Sequence, residues 1–240
     1  MSVDATYAAR RLPKVYEASV SERVAFIRRT YFHLAGAIVA FVALEAVLIQ
    51  TGLAGPYLDF VFAASANWLV ILGLFMIVGH VADGWARSER SRSMQYLGLS
   101  LYIAAEALLF LPLLAIATYY SDPLLVPSAG LVTLTTFGGL SAVVLVTKKD
   151  FSFLRMGLAL AGLLALGLIV AAILFGFELG VLFSLAMVGL ASGYIVYYTS
   201  NVLHHYRTDQ HVAAALSLFA SIALMFWYIL RLFLILSGDD

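Results

Sequence analysis

Residues 31–50 read YFHLAGAIVAFVALEAVLIQ. Apart from His33 at one edge, Glu45 and the closing glutamine, the run is apolar, aromatic or small. A helix of that length rises roughly 30 Å, the thickness of a bilayer's hydrocarbon core. Six more runs of the same kind follow, near 67–84, 95–118, 125–147, 155–176, 179–203 and 212–236. The fold expected is an all-α integral membrane protein, a seven-transmembrane-helix bundle. The links between runs are short, so residues 31–236 read as one membrane domain. A cytoplasmic basic N-terminal segment, 1–30, precedes it and a short acidic tail, 237–240, follows. A six-span reading would have to keep one apolar run out of the membrane.

Composition agrees. The 240 residues are 63% hydrophobic and only 12% charged, where soluble domains carry about 25% charged residues. The formal net charge is zero, which gives nucleic acid nothing to hold. The chain has no cysteine, so disulfides, thiolate metal sites and cysteine nucleophiles are excluded. No basic, apolar and small-residue sequence of a cleavable leader precedes the first run. That run is therefore expected to serve as an uncleaved targeting signal, with a bacterial inner (plasma) membrane as the default location.

Lysine and arginine set the orientation. Arg10, Arg11, Lys14, Arg23, Arg28 and Arg29 precede the first run. Arg87, Arg90 and Arg92 follow the second, Lys148, Lys149 and Arg155 the fourth, and Arg207 the sixth. The alternate links, near 51–66, 119–124 and 176–178, have none. Only Arg231, near the end of the last run, stands apart. The N-terminus is thus expected in the cytoplasm and the C-terminus outside. The N-terminal segment reads either as an amphipathic helix on the inner leaflet, with Val15, Val20, Val24 and Ile27 on one side, or as a solvated tail.

Ionisable side chains within spans are rare and are functional candidates by default. Here they are Glu45, His80, Asp83 and Glu106. His80 and Asp83, three residues apart, share a helix face; Asp83 also reaches toward Arg87 at the membrane edge. Glu106 sits about ten residues into its span, roughly 15 Å deep. A carboxylate there is costly to ionise, so binding a proton or a cation is reasonable chemistry for it. The alternative is a neutral glutamic acid that hydrogen-bonds a neighbouring helix. No metal centre, cofactor or enzymatic activity is expected. His204 and His205 are adjacent and lack the i, i+4 spacing of a helical zinc pair. No lysine lies deep in a span, and GLASG at 189–193 suits helix packing better than a nucleophile turn. Gly157, Gly162 and Gly167 likewise suit close packing.

Three stretches carry a likeness. They are GLSLYIAAEALLFLP (98–112), GLVTLTTFGGLSAVVLVTKKDFSFL (130–154), and residues 193–232, which end in AALSLFASIALMFWYILRL. Arg29-Thr30-Tyr31 before the first run fits with them. Together they resemble the Bax inhibitor-1 (transmembrane Bax inhibitor motif) family, from about residue 28 onward. Thr147, Lys148, Lys149 and Asp150, with Arg231 in the last span, are the most family-like positions. The resemblance implies that the last helix is central. It also implies a cytoprotective role in eukaryotes, and for bacterial relatives a proton-sensitive calcium leak or the binding of a membrane protease. The implied pH sensor is a pair of aspartates, one in each of the last two spans. In this chain the matching positions hold Tyr198 and Ser221, neither of which ionises near neutral pH.

Two functions follow as expectations. The first is a calcium or cation leak channel with an altered pH sensor, in which Glu106 and His80 line an internal cavity. The second is a non-conducting membrane regulator, bound to a membrane protease or stress-response partner through the basic N-terminal segment. Beyond the lipid bilayer, the partners expected are calcium or protons in the first case and a membrane protein in the second.

Overall fold

The computed structural model describes residues 13–52, 55–89 and 91–238. Arg10, Arg11, Arg90 and the two terminal aspartates of the expected acidic tail lie outside the described residues. Seven long apolar helices cross the molecule. They are α1 (Val20–Thr51), α3 (Asn67–Ala86), α4 (Arg92–Tyr119), α5 (Leu125–Thr147), α6 (Leu154–Phe175), α7 (Val181–His204) and α8 (His211–Ser237). A short helix, α2 (Gly55–Ala63), occupies the link after α1, where a plain loop is expected. The turns bearing lysine and arginine gather at one end of the bundle, called here the basic end. The uncharged-to-acidic links form the neutral end.

The first span begins well before residue 31. Ser19 and Glu22 form a capping box: the Glu22 N–H reaches Ser19 Oγ at 3.4 Å, and the Ser19 N–H donates to Glu22 Oε2 at 3.0 Å. That reciprocal pair satisfies two orphan donors and starts the helix at Val20. The helix then runs unbroken to Gly52, whose φ of 67° ends it in a left-handed cap. Val20 and Val24 are exposed and Val15 is fully buried, so these valines do not form one membrane-facing side as the amphipathic reading supposes. Instead residues 13–18 fold over the basic end. The Val15 N–H donates to the Tyr206 carbonyl at 2.9 Å, and Thr208 N–H to that of Pro13 at 3.3 Å.

The last helix is the axis of the bundle. α8 buries seventeen of its 27 residues, whereas α6 buries only Ala165. It packs against α1, α3, α4, α5 and α7 but stands off from α6. Its first half, HVAAALSLFAS, supplies small side chains that admit neighbours on every side. α3 and α4 meet closely at Gly98. A Cβ there would lie 2.5 Å from both the Ala82 carbonyl oxygen and the Ala86 nitrogen. α6 is held almost entirely by α7. Tyr194 Oη lies over Gly162 and donates to the Leu158 carbonyl at 2.9 Å, while the Leu158 side chain lies over Gly193. The packing role expected of several glycines thus falls to Gly162 and Gly193; Gly157, Gly167 and Gly189 meet nothing within 4 Å.

α4 carries a proline in its interior, Pro112. Proline offers no N–H, so the carbonyl four residues back, on Leu108, loses its helical donor. The Tyr57 hydroxyl of α2 fills the gap, donating to the Leu108 oxygen at 2.7 Å. The short helix after α1 is therefore an integral part of the bundle.

The candidate functional site

Because α6 leans on α7 and stays clear of α4 and α8, a cavity of about 930 Å³ remains between α3, α4, α6, α7 and α8. At the neutral end it is lined by Trp68, Glu178, Leu179 and Arg231. At its inner half it is lined by Tyr102, Glu106, Tyr194, Tyr198 and Ser221. Glu106 and Ser221, on helices with three others between them in the chain, thereby share one chamber with Tyr198.

Glu106 projects from the middle of α4 and is only 4% exposed. Its polar neighbour is the Tyr102 hydroxyl, one helical turn earlier. Ser221 donates to the Ser217 carbonyl at 2.8 Å, so its proton is spent within α8. The Tyr198 ring stacks on Tyr194, with centroids 6.0 Å apart and planes 15° from parallel. Tyrosine and serine therefore do not replace the aspartate pair by bonding to each other. Arg231 donates to the Leu179 carbonyl at 2.5 Å and so ties the central helix to the α6–α7 link.

Below Tyr198 the basic end is closed. Arg87, just past α3, pairs with Asp83 at 2.7 Å. That carboxylate holds the guanidinium above its already high ordinary pKa, against the pull of partial burial, with Tyr206 and Tyr198 nearby. Tyr206 is buried and donates to Ser217 Oγ at 2.9 Å. Arg207 pairs with Glu89 of the α3–α4 turn and with Asp209. Three segments, 13–18, the α3–α4 turn and the α7–α8 turn, thus interlock at this end.

The remaining sequence candidates fall elsewhere. His80 lies on the exposed surface of α3 and does not line the cavity, because the turn that points Ala82 and Ala86 inward points His80 out. Asp83 meets Arg87 as expected. Glu45 is buried, at 4% exposure, but in a separate place on α1, and neither carboxyl oxygen has a partner among the described residues. The Thr147–Asp150 segment builds a clasp between helices. Lys148 takes a left-handed φ of 52°, the Phe151 N–H donates to Ser200 Oγ at 2.9 Å, and His205 Nε2 approaches Asp150 Oδ2 at 3.1 Å. Sequence reading missed Tyr102, Tyr194 and the Tyr206–Ser217 pair as site residues. Tyrosines in apolar runs carry no local mark that separates a cavity wall from a packing surface.

Comparison with known proteins places the chain. The family model described as "Inhibitor of apoptosis-promoting Bax1" matches residues 23–238, nearly the whole bundle. Protein lifeguard 4 of Mus musculus is 30% identical over 225 residues, covering 90% of this chain and 87% of that protein. Bax inhibitor 1 of Schizosaccharomyces pombe is 28% identical over 239 residues, 94% of this chain and 82% of the relative. Uncharacterized protein PA2604 of Pseudomonas aeruginosa is 35% identical over 118 residues, a match that spans only 52% of that protein. With seven apolar helices gathered about the last one and a family match running from the first span to the end of the last, the chain belongs to the Bax inhibitor-1 family of membrane proteins.

Proposed function

We propose that this protein is a cation leak pathway of the bacterial inner membrane, with calcium as the ion the family likeness suggests and Glu106 as the group that attracts it. One observation carries the reading: Glu106 and both positions that match the family's aspartate pair line the same cavity. Conduction needs a site that is attractive enough to enter and weak enough to leave. One carboxyl among hydroxyls meets that description. The protein acts by binding and passage, not by catalysis. The basic end faces the cytoplasm, as the lysine and arginine bias favours, so the cavity faces outward and its floor at Tyr198 is the closed gate. With Tyr198 and Ser221 in place of two acids, the gate lacks a proton-sharing pair, and Glu106 is the carboxyl left beside it to respond to pH.

The test is calcium flux into proteoliposomes at about pH 6 and about pH 8, with wild type beside Glu106→Gln and a Tyr198→Asp/Ser221→Asp double variant. The reading expects flux in the wild type, loss in Glu106→Gln, and a steeper pH response in the double variant. Absence of flux in all three would overturn it and leave a non-conducting regulator of a membrane partner.

A further inference from the structure

The cavity gives a passing divalent ion few ligands and no tight seat. Calcium takes about six to eight oxygen ligands. The inner half of this chamber offers one carboxyl, Glu106, and hydroxyls of which two, on Ser221 and Tyr194, already donate to backbone carbonyls. The rest of the wall is aliphatic and aromatic, including Phe75, Phe110 and Trp227. Phe110 and Trp227 meet edge to face at 5.0 Å, and Tyr194 and Tyr198 present a stacked pair. A volume of about 930 Å³ lies within the roughly 300–1,000 Å³ of pockets that enclose drug-sized molecules.

We infer that this cavity is a binding site for a lipophilic organic cation, an aromatic or alkyl body bearing one delocalised or amine-borne positive charge. Four features of the chamber match that class. Apolar walls take the body without the desolvation cost that a compact, strongly hydrated ion incurs. Aromatic faces attract a cation through the ring quadrupole. Glu106, 4% exposed and sharing its surroundings with the Tyr102 hydroxyl, gives the charge a counter-ion at the deep end. Arg231 keeps its charge at the mouth, where it is held on the Leu179 carbonyl, and Glu178 also lines the cavity at that end, so the formal charges there balance. The two substitutions at the aspartate positions make the chamber suited to this class. Two further carboxylates would impose a charge and a hydration that an apolar body could not satisfy, whereas Tyr198 adds a ring and Ser221 a spent hydroxyl.

This inference shares with the leak reading only the location of the cavity and the role of Glu106, and the two are separable by experiment. The probe is tetraphenylphosphonium, whose charge is permanent and spread over apolar rings, with uncharged triphenylphosphine oxide as its counterpart. Binding of each is measured by equilibrium dialysis to the full chain in nanodiscs, with protein-free nanodiscs subtracted. Wild type is expected to take up the cation, Glu106→Asp to keep most of that affinity, and Glu106→Gln to lose about tenfold or more. The neutral compound is expected to bind wild type and Glu106→Gln alike, which also reports that the variant has folded. Ala172→Trp, which fills the cavity away from Glu106, is expected to abolish both. Equal cation affinity in wild type and Glu106→Gln, unchanged binding in Ala172→Trp, or no saturable uptake by wild type would each overturn the inference. Calcium flux is read in vesicles of the same lipid. Glu106-dependent flux without cation binding would sink this inference alone, and cation binding without flux would sink the leak reading alone.

Discussion

Replacing Tyr57 with phenylalanine removes one hydroxyl and leaves the Leu108 carbonyl with nothing to accept. The Tyr57–Leu108 bond is 2.7 Å long, and Pro112 cannot supply the helical donor that position would otherwise receive. An orphaned carbonyl in an apolar setting costs about 1–3 kcal/mol, more than the net worth of an ordinary hydrogen bond. Pro112→Ala restores an N–H to α4 and so a second donor for the same oxygen. In that background Tyr57→Phe should cost only a few tenths to about 0.5 kcal/mol, because the carbonyl is already satisfied. The predicted coupling between the two positions is therefore about 0.5–2.5 kcal/mol. The assay is a double-mutant cycle on thermal unfolding of the purified protein in one detergent, read by loss of the monodisperse peak. Pro112→Ala alone need not stabilise, since the helix has settled around its proline. The cycle does not depend on that sign. Equal costs for Tyr57→Phe with and without Pro112 would refute the reasoning and show that α2 contributes packing only.

Three further outcomes are expected. Gly98→Ala places a methyl against the backbone of α3, 2.5 Å from two of its atoms. It should destabilise the protein by about 1–3 kcal/mol, while Gly36→Ala, with nothing within 4 Å, should be neutral or stabilising by up to about 1 kcal/mol; the melting temperatures of the two variants decide it. Partial burial raises the Asp150 carboxyl, but the Ser152 N–H and the His205 ring outweigh it and hold it below its ordinary value. Its stabilisation of the α5–α6 turn is therefore complete above the ordinary carboxylate value of about 3.9 and lost as pH falls through the lowered one. Hydrogen-exchange protection of residues 148–153 should fall across that window in wild type and show no such step in Asp150→Asn. Glu45→Leu removes a carboxyl whose two oxygens are buried and unpartnered among the described residues and should raise stability by about 1–3 kcal/mol; a lower melting temperature would mean that Glu45 holds a proton or ion that matters to the fold.

The sequence displayed the spans because hydrophobic length is a local property, and it displayed which links share an end of the bundle because lysine and arginine are confined to alternate links. It did not display where α1 begins. The signal was present in Ser19 and Glu22, but a boundary drawn at the last charge overlooks a cap that lies before several arginines. The facing of His80 needed the position of α4, since a helix run apolar all round has no marked inner side. Glu106 was legible as an anomaly, one carboxyl in an apolar run. Its chamber was not, because the cavity exists only through the lean of α6 on α7, fixed by Gly162 and Gly193 at a distance in sequence from Glu106. Tyr57 and Pro112 look unrelated along the chain, and only the folded helix turns them into donor and orphaned acceptor.

The two halves of α8 account for the shape of the site. The half nearer the basic end is rich in alanine and serine, so α1, α4, α5 and α7 close on it and leave Tyr206, Ser217 and Arg87 as a packed stopper. The half nearer the neutral end carries Trp227, Tyr228 and Arg231, which line the cavity left by the lean of α6 on α7. An acid at position 198 would stand near Arg87 and give it a partner on another helix. With tyrosine there, Arg87 is neutralised by Asp83 one turn back on its own element, at 2.7 Å. The charge at the floor is thus balanced within α3, and no ion pair ties α3 to α7 at this point among the described residues. Any movement that opens the basic end must part the apolar and hydroxyl contacts around Tyr198 and Tyr206 and also the Arg207–Glu89 pair between the two turns.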